Sequence, residues 1–258
     1  MDNTSLLDSI INISKEAGNS ILEIYNHDTM SKDVSYKDDN SPLTLADKAS
    51  HNTICEGLKK LTPDIPILSE EGTTIDYNDR KNWKEFWLID PLDGTKEFIK
   101  RNGEFTVNIA LIREKNPILG VVYAPVIDTL WYGTIDYGSF KVENNKTKKI
   151  EVKSNVTSET EVVKIVSSRS HANNPKLESY LNQFSNYELV KMGSSIKICL
   201  VADGTAHYYP RFGPTMEWDT AAAHAVVKYA GGEILKMGSD FELSYNKENL
   251  LNPEFLVN

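Results

Sequence analysis

The chain has 258 residues, of which 40% are apolar and 25% are charged, and its formal net charge at pH 7 is −9. A chain of this length and composition can bury a sizeable core, as one large domain or two modest ones. Its acidic balance, without a basic run, excludes long-range attraction to nucleic-acid polymers or anionic membranes. An acidic protein can still bind an anionic substrate through metal ions that lie between the two.

The N-terminal segment MDNTSLLDSI has no basic region and no uninterrupted apolar stretch, so we predict no signal peptide. No window approaches the roughly 18 apolar residues of a transmembrane segment. Cys55 and Cys199 lie in apolar-periodic segments without metal-ligand spacing, which predicts two reduced, buried thiols. We expect a cytoplasmic protein. Peripheral association with the inner membrane stays open, as does the choice between monomer and homodimer.

The first 150 residues predict helices followed by a β-rich region. Apolar residues at steps of three and four predict helices over 5–25 and about 44–61, with a short extended piece near 34–37 between them. A short apolar strand, residues 86–89, ends at Asp90. The β-rich stretches that follow, separated by Gly, Pro and Asn turn signals, are residues 105–113, 118–124, 129–134 and 139–143. We expect them to form a meander or a mixed antiparallel sheet.

A lysine- and asparagine-rich stretch, residues 143–149, predicts an exposed turn and a boundary near residue 150. Beyond it, strands and helices alternate, which predicts a mainly parallel or mixed α/β arrangement. The expected strands are 162–166, 187–190, 205–209 and 232–235, and the expected helices are 175–184, 194–203 and 218–230. We therefore predict a layered α/β fold whose two halves, residues 1–150 and 151–258, meet at a cleft.

The segment DPLDGT, residues 90–95, has the features of a metal site. A buried strand delivers Asp90 to its C-terminal end, where α/β proteins usually bind ligands. Asp93 is close enough in sequence to share a cation with Asp90, and the carbonyl of Leu92 can supply a third oxygen. The next two residues start a helical turn whose N–H groups would face a phosphate. Oxygen ligands without His or Cys favour Mg²⁺ or Mn²⁺ over zinc.

The same segment has a second interpretation as an acidic turn, because D-x-x-D-G is common in hairpins and caps. Glu70 and Glu71 lie about twenty residues upstream, after a short apolar strand, and Asp219 starts an Ala-rich helix. Each also has an alternative of its own, namely a solvated loop pair for the glutamates and a first-turn acid for Asp219. Together, the three segments favour a carboxylate cluster.

In order and spacing, these three segments resemble the signature of the lithium-sensitive, magnesium-dependent phosphatases of the inositol monophosphatase family. The resemblance is closer to one branch, the 3′(2′),5′-bisphosphate nucleotidases of the CysQ type. The segments that carry it are DGTKEFI at 93–99, SRSH at 168–171 and GSSIKICLVADGTAHYYPRFGPTMEWDTAAA at 193–223. It extends from about residue 34 to the end. The fold that it implies is the layered α-β-α-β-α fold of sugar phosphatases, with a mixed or antiparallel N-terminal sheet and a smaller C-terminal half.

The resemblance implies a two-metal centre. Asp90 would bridge two Mg²⁺ ions, Glu70 would complete the first site, and Asp93 with Asp219 would hold the second, while the carbonyl of Leu92 is a further ligand. The family often implies a third, weaker ion, Mn²⁺ is an alternative metal, and Li⁺ is the expected inhibitor. Two metal ions at a phosphoryl group activate water and stabilise the leaving oxygen.

The resemblance also implies catalytic roles for Asp47, Glu70 and Thr95. Thr95 matches the family's water-orienting hydroxyl, hydrogen-bonded to the carboxylate of Asp47. The alternative for Asp47 is an ordinary charge in the first turn of a helix. Glu71 either shapes its loop or serves the outer metal shell.

The implied substrate carries two phosphates and an adenosine. The expected substrate-binding residues at the metals are Glu70, Leu92, Asp93, Gly94, Thr95 and Asp219, and those of the nucleotide pocket are Ser170, His171, Gly193, Ser194, Ser195, Lys197 and Arg211. Amides and hydroxyls of the helix start at 193–195 would form a second anion site. His171 has the alternative of a structural histidine, and Arg211 would pack against the base or reach the second phosphate.

The expected activity is hydrolysis of 3′-phosphoadenosine 5′-phosphate to AMP and phosphate. Hydrolysis of the sulfated analogue to adenosine 5′-phosphosulfate stays open beside it. The alternatives are an inositol monophosphatase, a fructose-1,6-bisphosphatase and a catalytically silent nucleotide-binding regulator. The intact set of acidic ligands argues against the last.

Overall fold

Helices lie on both faces of a seven-stranded sheet in the computed structural model, which describes residues 3–26, 34–36, 42–153, 161–169 and 174–258. The helices are α1 (Asn3–Asn26), α2 (Leu45–Leu61), α3 (Tyr77–Arg80), α4 (Thr95–Ile99), α5 (Pro175–Leu181), α6 (Ile196–Ala202) and α7 (Glu217–Tyr229). The first two confirm the helices predicted from the apolar periodicity. α5 ends three residues before the predicted end at residue 184.

The large sheet has the order β3-β4-β5-β6-β7-β8-β9. Its strands are β3 (Ile67–Ser69), β4 (Glu85–Asp93), β5 (Thr106–Arg113), β6 (Asn116–Ala124), β7 (Thr129–Thr134), β8 (Gly138–Glu143) and β9 (Lys146–Ile150). Only β3 and β4 pair in parallel, and every later neighbour is antiparallel. The predicted meander is therefore confirmed.

Smaller sheets complete the described part of the chain. β1 (Val34–Tyr36) pairs with β2 (Pro42–Thr44), and β10 (Val163–Ser168) pairs in parallel with β11 (Tyr187–Met192). A three-stranded sheet has the order β12 (Tyr209–Arg211), β14 (Phe255–Val257) and β13 (Ile234–Lys236).

Two apolar clusters fill the two faces of the large sheet. On one face, α1 and α2 pack against strands β4 to β6 through residues such as Ile10, Ile54 and Trp87. On the other face, α6, α7 and the C-terminal strands form a second cluster. A third, smaller cluster joins α5 to β10. The order of the layers is thus α-β-α-β-α, which confirms the predicted fold class.

Three sequence predictions need correction. The stretch 143–149 is not one exposed turn, because the turn is confined to Asn144 and Asn145, whereas β9 pairs with β8 as a polar edge strand. The strand expected at 205–209 lies at β12 instead, and Tyr208 meets β10 only at a single parallel bridge. β4 runs past Asp90 to Asp93 through a register shift against β5. The proposed division of the chain near residue 150 stays a prediction.

Close contact between α7 and the large sheet depends on glycine. A Cβ atom on Gly120 of β6 would lie 2.2 Å from the carbonyl oxygen of Ala222, and one on Gly133 of β7 would lie 2.6 Å from that of Ala225. Because α7 also carries Asp219, these two glycines set how near that carboxylate comes to the end of β4.

Within the described ranges, no helix combines the length and the apolar content that are needed to cross a membrane.

Gly120→Ala should lower the free energy of unfolding by about 1–3 kcal/mol, because the added methyl overpacks the contact between β6 and α7. Urea unfolding followed by circular dichroism measures this change. Lys148→Ala, on the exposed edge strand β9, serves as the control and should change stability by about 0.5 kcal/mol or less. Equal stability of the Gly120 variant and the wild type would show that α7 can move away from the sheet at no cost.

Candidate functional site

The end of β4 forms a bulged turn that exposes carboxylates to one cavity. The backbone pairs Asp90 with Asn108 and Asp93 with Thr106, so Pro91 and Leu92 form the bulge between them. Proline has no N–H to donate to the neighbouring strand, which explains why the ladder breaks there. The N–H of Leu92 donates instead to Oδ1 of Asp90 at 3.1 Å.

Gly94 ends the bulge in a left-handed conformation, with φ at 98°, and α4 begins at the next residue. A Cβ on Gly94 would lie 3.1 Å from the carbonyl oxygen of Glu104. A glycine is therefore required here by both its backbone angle and its surroundings.

Glu70 and Asp219 come to the same place from two other elements. Glu70 follows β3, and its N–H donates to the carbonyl of Ile89 in β4 at 3.2 Å. Asp219 lies in the first turn of α7, where one carboxylate oxygen accepts the N–H of Met216 at 2.9 Å. Glu70, Asp90 and Asp219 each offer a carboxylate oxygen, and these three atoms lie within 4.8 Å of one another. Both interpretations of Asp219, helix-start acid and cluster member, hold at once.

Mutual repulsion and burial disfavour the charged forms of these acids. The pKa of Asp90 is raised well above its usual value by burial, and then by the charges of Glu70, Asp93 and Asp219. Burial and the charge of Asp93 raise the pKa of Asp219 in the same way. A divalent cation among the carboxylates would remove this repulsion, and the donor set consists of the oxygens that Mg²⁺ and Mn²⁺ prefer. The residues present therefore fit a metal site.

Asp93 is held differently from the other three. Its Oδ2 accepts the N–H of Ser195 at 2.5 Å. Burial raises its pKa, while Lys197 and the donors of Ser195 and Ser194 act in the opposite direction. Asp93 therefore links the acidic end of the cavity to its cationic wall.

Thr95 and Asp47 lie on opposite sides of the cavity wall. Thr95 lines the cavity, and its hydroxyl donates to the carbonyl of Leu92 at 3.5 Å. Asp47, in the first turn of α2, is 3% exposed and is not part of the cavity wall. It contributes to the raised pKa of Asp90, so the two carboxylates lie within electrostatic range. The hydrogen bond between Asp47 and Thr95 stays a prediction.

The turn at 193–195 differs from the predicted anion site. The N–H of Gly193 donates to Oε2 of Glu104 at 2.8 Å, and the N–H of Ser195 is bound to Asp93. The hydroxyl of Ser195 donates to Asn108 at 2.7 Å. These donors are satisfied by acceptors of the N-terminal half. The amides of Gly193 and Ser195 thus bind protein oxygens in this structure, and binding of a phosphate by the segment 193–195 stays a prediction.

Two cations, Lys197 and Arg211, line the same cavity as the acids. Lys197 is 7% exposed, its Nζ donates to the carbonyl of Ser194 at 2.5 Å, and burial lowers its pKa to about 8. Arg211 donates through Nη2 to the carbonyl of Pro214 at 3.0 Å. The buried Nε of Arg211 and the buried hydroxyl of Thr215 have no hydrogen-bond partner among the described residues. These two buried groups therefore keep unused hydrogen-bonding capacity beside the cavity.

One cavity of about 370 Å³ is lined by both the acids and the cations. The sequence-predicted residues that line it are Glu70, Asp90, Leu92, Asp93, Gly94, Thr95, Gly193, Ser194, Ser195, Lys197, Arg211 and Asp219. Ser170 and His171 lie outside the described residues. Glu71 does not line the cavity. Burial lowers the pKa of His51, and the charge of Glu71 acts in the opposite direction.

Sequence reasoning missed the pair Thr106 and Asn108 on β5. The hydroxyl of Thr106 is hydrogen-bonded to the hydroxyls of Ser194 at 2.7 Å and Ser195 at 2.8 Å. Asn108 accepts from Ser195 as described above. Polar residues at i and i+2 share one face of a strand, and in the otherwise apolar β5 this pattern was the available signal.

The chain matches the model of the family described as "Inositol monophosphatase family" over residues 2–255. It is 47% identical over 256 residues to "3′(2′),5′-bisphosphate nucleotidase CysQ" of Escherichia coli (strain K12), an alignment that covers 98% of this chain and 99% of the relative.

Solved structures give the same picture. The crystal structure of CysQ from Bacteroides thetaiotaomicron, described as a bacterial member of the inositol monophosphatase family, superposes with a TM-score of 0.86 at 42% identity, covering 98% of this chain and 96% of that one. An IMPase of Thermotoga maritima has a TM-score of 0.78 at 23% identity, with coverage of 98% and 91%. The second likeness concerns the fold alone.

Asp219→Asn should stabilise the metal-free protein by about 1–2 kcal/mol at pH 7, because an amide avoids a charge whose pKa folding raises. The advantage should shrink as the pH falls towards the ordinary pKa of Asp and vanish below about pH 3, where the carboxyl is protonated in both folded and unfolded states. The same variant should lose most of the stabilisation that added Mg²⁺ gives to the wild type. Thermal unfolding in EDTA and in Mg²⁺, at several pH values, measures all three effects.

Asp76→Asn is the matched control for this experiment. Asp76 is an exposed acid that also accepts a backbone N–H at a helix start, at 2.8 Å from Asn78. Its replacement should change neither the EDTA stability nor the response to Mg²⁺. A metal-free Asp219 variant less stable than the wild type would contradict the repulsion inferred among the carboxylates.

Proposed function

Because the chain belongs to the inositol monophosphatase family, we propose that it is a magnesium-dependent 3′(2′),5′-bisphosphate nucleotidase that hydrolyses 3′-phosphoadenosine 5′-phosphate to AMP and phosphate. The observation that carries the proposal is a single cavity lined both by a cluster of acids and by two cations, the buried Lys197 and the half-buried Arg211. A substrate with two phosphates matches both chemistries, one phosphate at each. A cavity of about 370 Å³ lies in the range of small-ligand sites.

The acidic end would hold the scissile phosphate through metal. Glu70, Asp90, Asp93, Asp219 and the carbonyl of Leu92 are the proposed ligands, and Mg²⁺ bound there would supply Lewis-acid stabilisation and an activated water. Neither the identity of the ion nor the inhibition by Li⁺ follows from the carboxylates alone. Both are part of the proposal, as are two ions per site and the capacity for Mn²⁺.

The chain's own groups orient the reactants. Thr95 lines the cavity with its hydroxyl beside the carbonyl of Leu92, and this hydroxyl is proposed to hold a water in line with phosphorus. Asp47 is proposed to accept the hydrogen of that hydroxyl and so fix its direction. The N–H groups of Gly94 and Thr95 are proposed donors to the scissile phosphate.

The two cations of the cavity would bind the second phosphate. Lys197 has a pKa of about 8 and is therefore mainly cationic at neutral pH, and the guanidinium of Arg211, which also lines the cavity, adds a second charge. An inositol monophosphate offers no second phosphate to these groups. For this reason we favour a nucleotidase over an inositol monophosphatase. We also favour it over a fructose-1,6-bisphosphatase, because fructose 1,6-bisphosphate carries its two phosphates on a much smaller molecule.

Location and assembly stay predictions. We propose a cytoplasmic protein, with peripheral association at the inner membrane and the choice between monomer and homodimer open to measurement. The sulfated analogue is a proposed second substrate.

A substrate panel tests the proposed function. Phosphate release should be fastest with 3′-phosphoadenosine 5′-phosphate in Mg²⁺, should be supported by Mn²⁺, and should be inhibited by millimolar Li⁺. Inositol 1-phosphate, fructose 1,6-bisphosphate and AMP are the comparison substrates. Faster cleavage of inositol 1-phosphate or fructose 1,6-bisphosphate would overturn the nucleotide assignment, and absence of turnover with any of them would favour a silent binding protein.

Asp93→Asn should reduce kcat on the preferred substrate by at least about a hundredfold, because it removes one ligand charge from the metal centre. An amide can still accept the N–H of Ser195, so the fold should be retained, as circular dichroism can check. Asp240→Asn, at an exposed position, is the control and should be fully active. A near-normal kcat for the Asp93 variant would refute its role as a ligand.

A further inference from the structure

Arg169, in the segment SRSH, has no place in the active site described so far. Its side chain forms a bidentate pair with Glu104, with Nε at 2.8 Å from Oε2 and Nη2 at 2.5 Å from Oε1. Two parallel charge-assisted hydrogen bonds fix both the distance and the orientation of the partners. The two residues are 65 positions apart in sequence, so the pair joins distant segments of the chain.

Glu104 has a second role at the same carboxylate. Its Oε2 also accepts the N–H of Gly193 at 2.8 Å. Its pKa is held below the usual value by the hydrogen bonds from Arg169, so it is ionised at neutral pH. One carboxylate therefore holds both the end of β10, where Ser168 lines the cavity, and the turn that leads into α6.

The loop that carries Glu104 is also packed against the metal-binding turn. A Cβ on Gly94 would lie 3.1 Å from the carbonyl oxygen of Glu104, and a Cβ on Gly193 would lie 2.8 Å from the same atom. The loop thus touches both ends of the cavity. A small displacement of Glu104 would change the distance between the carboxylates and the wall at 193–197.

We propose that Glu104 and Arg169 form a clasp that sets the distance between the metal-binding turn and the substrate-binding wall. Glu104 is a positioning residue: it acts through Arg169 and Gly193 on the groups that meet the second phosphate. Arg169 donates two hydrogen bonds to Glu104, and these bonds orient the guanidinium of Arg169 towards the protein. This role rests on the proposed function and deepens it, because a substrate with one phosphate does not need the spacing that the clasp provides.

Kinetics with two substrates separate this role from a general structural one. Glu104→Ala should raise the KM for 3′-phosphoadenosine 5′-phosphate by roughly tenfold, the scale of one lost hydrogen bond to a charged group. Its kcat, and its KM for p-nitrophenyl phosphate, which has one phosphate, should stay within about twofold of the wild type, since the metal ligands are untouched.

Arg169→Gln should raise the same KM by a smaller factor, about threefold, because Glu104 keeps its bond to Gly193. The double variant should equal Glu104→Ala alone, since the clasp is already open. A further rise in KM in the double variant would show that Arg169 touches the substrate directly and would overturn the clasp. Equal losses of kcat/KM on both substrates would reduce Glu104 to a structural residue.

Glu85→Gln is the control, because Glu85 also pairs with an arginine, Arg113 on the large sheet, whose Nε and Nη2 lie 2.9 and 2.7 Å from its Oε1. This variant should leave both KM values unchanged.

Amide hydrogen exchange tests the clasp independently of activity. In Glu104→Ala, peptides that cover β11 and the turn at 193–195 should exchange faster than in the wild type and in Glu85→Gln. If the wild type fails to cleave the bisphosphate, the proposed function fails, yet this exchange still reports on the clasp. Unchanged exchange in the Glu104 variant would overturn it.

Discussion

Electrostatic repulsion within the carboxylate cluster is the constraint on which the site depends. Glu70, Asp90 and Asp219 approach within 4.8 Å on three separate elements, although burial and repulsion raise the pKa values of Asp90 and Asp219. A chain does not hold such charges together without cost. The cost is met by packing elsewhere in the fold, and a bound cation recovers it. The same close approach of carboxylates therefore lowers the stability of the metal-free fold and raises its affinity for a cation.

The packing that meets this cost lies mainly in the contact of α7 with the large sheet. Gly120 and Gly133 leave no side chain between the strands and the helix, so the helix backbone lies directly on the sheet. An alanine-rich inner face on α7 makes the same close contact from the other side. Asp219 is carried to the end of β4 by this contact and by the N–H of Met216. The position of one carboxylate of the cluster thus results from residues outside the cluster.

Local patterns in the sequence predict the elements and the acids, but not the partners that lie far apart. α1, α2 and the strands of the meander follow from apolar periodicity, and Asp90 from its place at the end of a buried strand. For residues 193–195, a helix start was expected to leave the amides free for a phosphate, whereas those of Gly193 and Ser195 donate to carboxylates of the chain itself. Glu104 and Asp93, some ninety and a hundred residues upstream, accept those hydrogen bonds. No local signal in the sequence encodes the pairing of these amides with distant carboxylates. The polar pair on β5 indicates only that polar partners lie near that face of the strand.

The occupied amides change how the substrate-binding wall has to work. With the N–H groups of Gly193 and Ser195 bound to carboxylates, the wall is rigid and its backbone is electrostatically satisfied. Under the proposed function, the side chains of Lys197 and Arg211 would bind the second phosphate, and the same two cations lower the pKa of Asp93. Under the proposed function, these cations are shared between the protein's own acid and the substrate. Binding of the bisphosphate and binding of metal by Asp93 should therefore favour each other, because each releases the cations or the acid from the same internal pairing.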